Sequence, residues 1–159
     1  MNKLFIEDES KAIGALSVPL VIHRQMSVSP LAIIEESLES RVDTILNDYI
    51  FSNYLDYEAH DSEHFKELFA DSLLSALKRI RRRLGDDHYA EINQIMKDAL
   101  AADSLNNSAP LHRNWISKLL NDYYDPMYEY QLERESHRIV FRGDKLEFLN
   151  WAKGIDKPE

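Results

Sequence analysis

The chain has 159 residues, 44% of them hydrophobic and 10% aromatic, which is enough apolar material for one folded domain and favours a globular protein over a disordered polypeptide. It contains no cysteine, so a disulfide framework, a thiolate metal site and a cysteine nucleophile are all excluded. Net charge is −9, and no window approaches the run of about 18 apolar residues that a membrane span needs, so the expectation is a soluble, cytoplasmic chain without a signal peptide.

The acidity is confined to the first half. Residues 1–77 carry 14 Asp and Glu against 5 Lys and Arg, whereas residues 78–159 carry 14 of each. An acidic chain is a poor nucleic-acid binder overall, but five of its nineteen basic residues fall in KRIRRR, at Lys78, Arg79, Arg81, Arg82 and Arg83.

In chain order, LFIEDES opens with Leu4, Phe5 and Ile6 and stops at Glu7, Asp8 and Glu9, the pattern of a buried strand near residues 3–7 that delivers acids to its C-terminal end. KAIGALSVP then reads as a loop or turn, and Pro19 as the start of a short helix through LVIHRQM. SPLAIIEE predicts a second strand near 31–35, again apolar throughout and again ending in acids, Glu35 and Glu36. Strands without polar alternation suit a sheet covered on both faces.

A helical block is expected from about 37 to 125. Ser37 and Ser40 are possible N-caps for a helix carrying Leu38, Val42, Ile45, Leu46 and Tyr49 at helical spacing. A second helix carries Phe65, Leu68, Phe69, Leu73, Leu77 and Ile80 and ends at Gly85 as C-cap. A third, capped by Asp86 or Asp87, carries Tyr89, Ile92, Ile95, Met96 and Leu100. SLNNSAPLHR reads as the clearest internal loop. NWISKLLNDYYDP is helical through Tyr124, where Pro126 is expected to end or kink it. HRIVFRGD predicts a third strand near 138–142, and DKLEFLNWAKG a last short helix capped by Asp144 and stopped near Gly154. No internal repeat and no low-complexity tract stands out.

Three stretches, FIEDESKAIG, PLAIIEESLESRVDTILNDY and YYDPMYEYQLERESHRIVFRGD, resemble in order and approximate spacing the C-terminal portion of bacterial tRNA 2-selenouridine synthases. YYDPMYEYQ is the most specific of them, since such a string has no generic structural use. The resemblance implies an α/β fold: a predominantly helical C-terminal portion of a P-loop NTPase-like domain, with three short strands around a helical insertion, filling residues 1–159 as one partial domain. The family it implies has an N-terminal rhodanese-like part with a catalytic cysteine, followed by a P-loop part. Its members use selenophosphate to replace sulfur by selenium in the wobble 2-thiouridine of tRNA, with a geranylated intermediate in the same cycle. This chain has no cysteine and no G-x-x-x-x-G-K-[ST], and its four glycines, Gly14, Gly85, Gly143 and Gly154, cannot assemble one.

On the same resemblance LFIEDES corresponds to a Walker B strand, with Asp8 as the metal-side carboxylate and Glu9 as a water-orienting partner. The resemblance further implies selenophosphate and a magnesium nucleotide as cofactors of the whole enzyme, none of them bound by this chain alone. Its partners would be tRNA and an N-terminal rhodanese and P-loop half. The chain alone is then expected to be inactive, and the alternative is a noncatalytic tRNA-binding or assembly module.

The other polar residues admit two readings each. Lys78, Arg79, Arg81, Arg82 and Arg83 are either a solvated helix end favoured by the helix dipole or a tRNA phosphate contact. Tyr123, Tyr124, Tyr128 and Tyr130 either pack a helix or stack on unpaired bases, with Tyr124 and Tyr128 the named candidates. Arg142 either binds a phosphate at the sheet edge it would share with Asp8 or pairs with a nearby carboxylate. Glu35 and Glu36 suit helix capping, and His60, His64 and His88 lack metal-ligand spacing. No metal site independent of a nucleotide is expected.

Overall fold

The computed structural model describes residues 4–8, 10–13 and 16–155. They fall into two compact units: Ser37–Tyr130, and Met1–Glu36 together with Gln131–Glu159.

The larger unit is all helix. α2 (Leu38–Ile45) begins at Ser37, whose hydroxyl accepts from the Ser40 N–H at 3.1 Å, so Ser37 rather than Ser40 is the cap. It runs through a π-helical turn, Leu46–Ser52, into α3 (Asn53–His60). α4 (Phe65–Leu84) and α5 (Asp86–Leu100) meet at Gly85, whose φ of 89° and ψ of 155° lie in a region that side chains strongly disfavour. Asp86 and Asp87 are therefore first-turn residues of α5, with Gly85 in the capping position.

α6 (Leu105–Leu119) occupies the stretch whose Ser, Asn and Pro content predicts a loop. Ser104 caps it through the Asn107 N–H, and Ser108, His112, Trp115, Ile116 and Leu119 recur on a buried face. Pro110 sits on the exposed side of the helix and has no N–H to offer the Asn106 carbonyl one turn back. Burial of that face overrides the local preference.

Pro126 does not end the next helix either. A π-helical turn, Leu120–Tyr124, precedes α7 (Asp125–Arg134), and the Asp125 N–H donates five residues back to the Leu120 carbonyl. The wider turn carries the chain past the donor that proline lacks. Both π turns are built on the same tetrapeptide, Leu-Asn-Asp-Tyr at 46–49 and 120–123, a short repeat that composition alone did not reveal.

The core of this unit joins Val42, Ile50, Phe69, Leu77, Ile92, Met96 and Ile116. Each such side chain contributes about 1.5–3 kcal/mol relative to leaving it exposed.

The smaller unit is α/β. A two-residue antiparallel ladder, β1 (Ala12–Ile13) with β2 (Leu16–Ser17), occupies the expected loop, followed by α1 (Leu20–Met26) with Pro19 as its N-cap residue. β3 (Leu31–Ile34) pairs in parallel with β4 (Ile139–Gly143), with Ile33 opposite Arg142 and Ile34 opposite Gly143. These are the strands expected near 31–35 and 138–142.

The strand expected near 3–7 is not formed among residues 4–8. A strand needs a ladder partner, and here Leu4 and Ile6 lie exposed, while Phe5 is held by ring contacts to Phe148 and Trp151 of α8 (Lys145–Ile155) at 5.2 and 6.0 Å. α8 starts with a reciprocal cap: Asp144 accepts from the Glu147 N–H, and Glu147 accepts from the Asp144 N–H, both at 2.8 Å. Among the described residues no helix is long and apolar enough to cross a membrane.

Candidate nucleic-acid interface

The basic tract ends α4. Leu77 and Leu84 are buried and Ile80 packs against the core, which fixes one face of the helix. Lys78, Arg79, Arg81, Arg82 and Arg83 are all exposed. They are not equivalent.

Arg81 donates its Nε–H to Asp86 at 2.8 Å and lies 4.9 Å from the centre of the Tyr89 ring, and the bond to Asp86 raises its pKa above the usual value. Among the described residues Lys78, Arg79, Arg82 and Arg83 form no ion pair. They hold four positive charges at the C-terminal end of a helix whose dipole favours cations. An anion arriving there meets unneutralised charge at those four positions and a committed guanidinium at Arg81.

The tyrosines divide. Tyr123 and Tyr124 pack against the core at a ring separation of 4.9 Å, and burial raises the Tyr124 pKa, with Tyr123, Tyr128 and Tyr49 adding to the shift. Tyr128 and Tyr130 are exposed, as is Tyr49 in the other π turn. Acids flank them: Asp48 and Asp122 lie in the π turns, and Asp125 is held by Arg41 in a two-pronged ion pair of 2.6 and 2.9 Å. These aromatic faces therefore suit an uncharged base more than a phosphate.

Asp8 and Arg142 do not share a sheet edge. Asp8 lies 3.9 Å from Arg138, which precedes the first residue of β4, whereas Arg142 lies near the end of β4 and pairs with Glu35 at 3.3 Å. Four residues of strand, roughly 13 Å, separate the two arginines along the chain. Glu9 lies outside the described residues. Glu35 is thus an ion-pair partner, and Ser37 is the residue that caps α2.

His64 sits beside Asp61 at 3.4 Å and His88 beside Asp122 at 3.7 Å, and among the described residues no group of three or more His, Asp or Glu is placed to hold a metal.

With this geometry in hand, the relatives are informative. A family model described as the tRNA 2-selenouridine synthase AAA domain matches residues 1–157. The chain belongs to this family. It is 43% identical over 152 residues to the tRNA 2-selenouridine synthase of Alcanivorax borkumensis, covering 92% of this chain and 42% of the relative. It is 41% identical over 151 residues to that of Marinobacter nauticus, covering 94% and 41%. Against that of Pseudomonas putida strain W619 it is 37% identical over 158 residues, covering 99% and 43%. The chain thus spans about two fifths of the length of these curated relatives. No solved structure matches it.

Among the described residues of this tRNA 2-selenouridine synthase family member, one densely bonded side chain carries no signal in the sequence. Arg138 is 9% exposed and donates to the carbonyls of Met26 and Ser29 at 2.7 and 2.9 Å and to Glu135 at 3.1 Å, closing the C-terminal end of α1. Its place directly ahead of the apolar run at Ile139 gave no hint of this, because the carbonyls it serves, at Met26 and Ser29, lie more than a hundred residues earlier in the chain.

Proposed function

We propose that this chain is the C-terminal part of a tRNA 2-selenouridine synthase, the enzyme that replaces sulfur by selenium in wobble 2-thiouridine with selenophosphate, and that the chain alone does not turn over. The observation that carries the reading is the family match over residues 1–157 in a chain that contains neither a cysteine nor a phosphate loop. In this reading the N-terminal rhodanese and P-loop half supplies both, and the complete enzyme works in the cytoplasm on tRNA.

Selenophosphate and a magnesium nucleotide belong to that complete enzyme. The groups in this chain do not fit a nucleotide on their own: Asp8 faces Arg138, Arg142 faces Glu35, and the phosphate-cradling amides have no glycine-rich loop to come from. A Walker B role for Asp8 and Glu9, a phosphate role for Arg142, and the P-loop fold itself are proposals for the completed domain.

The deciding experiment incubates 2-thiouridine tRNA and selenophosphate with the 159-residue chain, with and without the remaining part of a relative's sequence. Selenium incorporation only in the combined sample is the expected result. Incorporation by the chain alone, or by neither sample, removes the reading.

The exposed basic end of α4 favours a second role within it, as a tRNA-binding or assembly module acting through Lys78, Arg79, Arg82 and Arg83, with the exposed Tyr128 of α7 as the candidate stacking face, since Tyr124 packs against the core. Binding of tRNA by the chain alone, weakening steeply with salt, is its expected signature.

A further inference from the structure

We propose that a cavity walled by the first turn of α4, the end of α5 and the start of α6 binds the carboxylate group of a short organic acid. The cavity lies wholly within the Ser37–Tyr130 unit, at the opposite end of α4 from the basic tract, and the inference does not rest on the family reading.

His112 lines this cavity and is 2% exposed, a buried titratable group that the proposed function leaves idle. Its Nδ1 accepts from the Trp115 indole at 2.9 Å, so the ring hydrogen sits on Nε2. Among the described residues that Nε2–H has no acceptor, and it is not sealed in the core. Arg41 Nε is the only side-chain nitrogen or oxygen there that is both fully enclosed and unbonded, so Nε2 borders open space, and the space His112 lines is this cavity. A buried donor without an acceptor is rare in folded proteins and marks a missing partner.

The neighbouring polar groups are short of acceptors too. Ser104 uses its hydroxyl oxygen to cap α6, accepting from the Asn107 N–H at 3.3 Å, and among the described residues the hydroxyl hydrogen has no acceptor. Lys66 is exposed and forms no ion pair among the described residues. The N-terminal end of α6 adds its positive dipole, with no acid in the first turn to neutralise it. The opposing end of α5 is partly satisfied, because the Ala99 carbonyl accepts from the Ala101 and Ala102 amides. No aspartate or glutamate lines the cavity, in a chain that carries 28 of them. Donors that converge without an acceptor suit an anion that only accepts.

Size selects the anion. The cavity measures about 40 Å³, and a water-sized sphere takes about 10–15 Å³ of such a volume, so roughly three fit. A carboxylate is three heavy atoms in a plane, whereas a tetrahedral phosphate or sulfate is bulkier in every direction. Phe69 and Leu100 make the wall apolar beside these donors, which suits a short aliphatic tail.

Acetate is the probe. It is titrated into the isotope-labelled 159-residue chain near neutral pH and at constant ionic strength, with chloride as the balancing anion, while imidazole, indole and amide resonances are followed. The expected result is saturation with a dissociation constant on the order of 1–10 mM, read at His112 Nε2, at the Trp115 indole bonded to it and at the Ser104 and Leu105 amides. Ser104→Gly removes the hydroxyl while keeping most of the capping strength, and Lys66→Gln changes an exposed side chain. Each should weaken binding about fivefold.

Shifts that never saturate, or that chloride alone reproduces, mean that water fills the cavity and overturn the proposal. Phosphate binding as tightly as acetate overturns the carboxylate assignment. Saturation unchanged by both substitutions places acetate elsewhere and overturns the site. All of these outcomes leave the family reading untouched, since none involves tRNA or selenophosphate.

Discussion

Trp115 donates its indole N–H to Nδ1 of His112 at 2.9 Å, one turn away on α6, and the imidazole is 2% exposed. The acceptor nitrogen must be unprotonated, and burial pushes the pKa of His112 down from 6.5 to about 4. Below pH 6.5 the unfolded chain binds a proton that the folded chain refuses, so stability falls as pH drops toward 4. The loss assignable to this group is roughly 3 kcal/mol across that interval. Urea unfolding at a series of pH values should show the parent losing this much more than His112→Gln, which keeps an acceptor for Trp115 but does not titrate. Parallel curves for the two would remove His112 as the cause.

Arg41 and Asp125 join α2 to the start of α7 through two hydrogen bonds, with both side chains about one-third exposed. A forked pair of this kind is stronger than a single contact but is still screened by solvent, so a coupling of about 1 kcal/mol is expected. A double-mutant cycle with Arg41→Met and Asp125→Asn should give that value at low salt and a smaller one in molar salt. A coupling indistinguishable from zero at low salt would mean that the helices hold their places without it.

The balance between what could be read and what could not follows from the range of the interactions. Leu31 to Ile34 and Ile139 to Phe141 are strands in the sequence and in the structure because their apolar runs are short, bounded and have each other as partners. Leu4 to Ile6 has the same local pattern and forms no strand, because pairing is a property of two segments and one sequence window shows only one of them. Pro110 and Pro126 read as breaks for a similar reason. The buried face of His112, Trp115 and Ile116 and the π turn before Asp125 decide the outcome, and neither is a local preference. At the site, the sequence located the basic tract but not its inequality, since the partner that engages Arg81 lies beyond the turn at Gly85.

Gly143 closes β4 against the cap of α8. A methyl group there would run into the Glu147 carboxylate and lie 3.0 Å from the Phe141 ring, so Gly143→Ala must displace the side chain that accepts from the Asp144 N–H. Loss of one half of a capping box costs about 1 kcal/mol. Glu147→Ala should cost a similar amount, and the double variant little more than either alone, because both remove the same contact. Additive losses in thermal unfolding would show that Gly143 is needed for some other reason.

If the end of α4 is where tRNA is held, its arginines should differ in what they contribute. Arg82 and Arg83 are exposed and form no ion pair among the described residues, whereas Arg81 is engaged by Asp86 and stacked near Tyr89. A phosphate contact made by Arg81 would have to displace its carboxylate partner, which lowers the net gain. Arg82→Gln and Arg83→Gln should therefore each weaken tRNA binding and flatten the plot of log affinity against log salt by about one unit, and Arg81→Gln by clearly less. Asp86→Asn should do the reverse, freeing Arg81 and raising affinity at low salt. The measurement is a filter-binding series over several salt concentrations with the intact chain. Equal effects at positions 81, 82 and 83 would mean that only net charge is sensed, and no effect at any of them would return the tract to its plainer role as a solvated helix end.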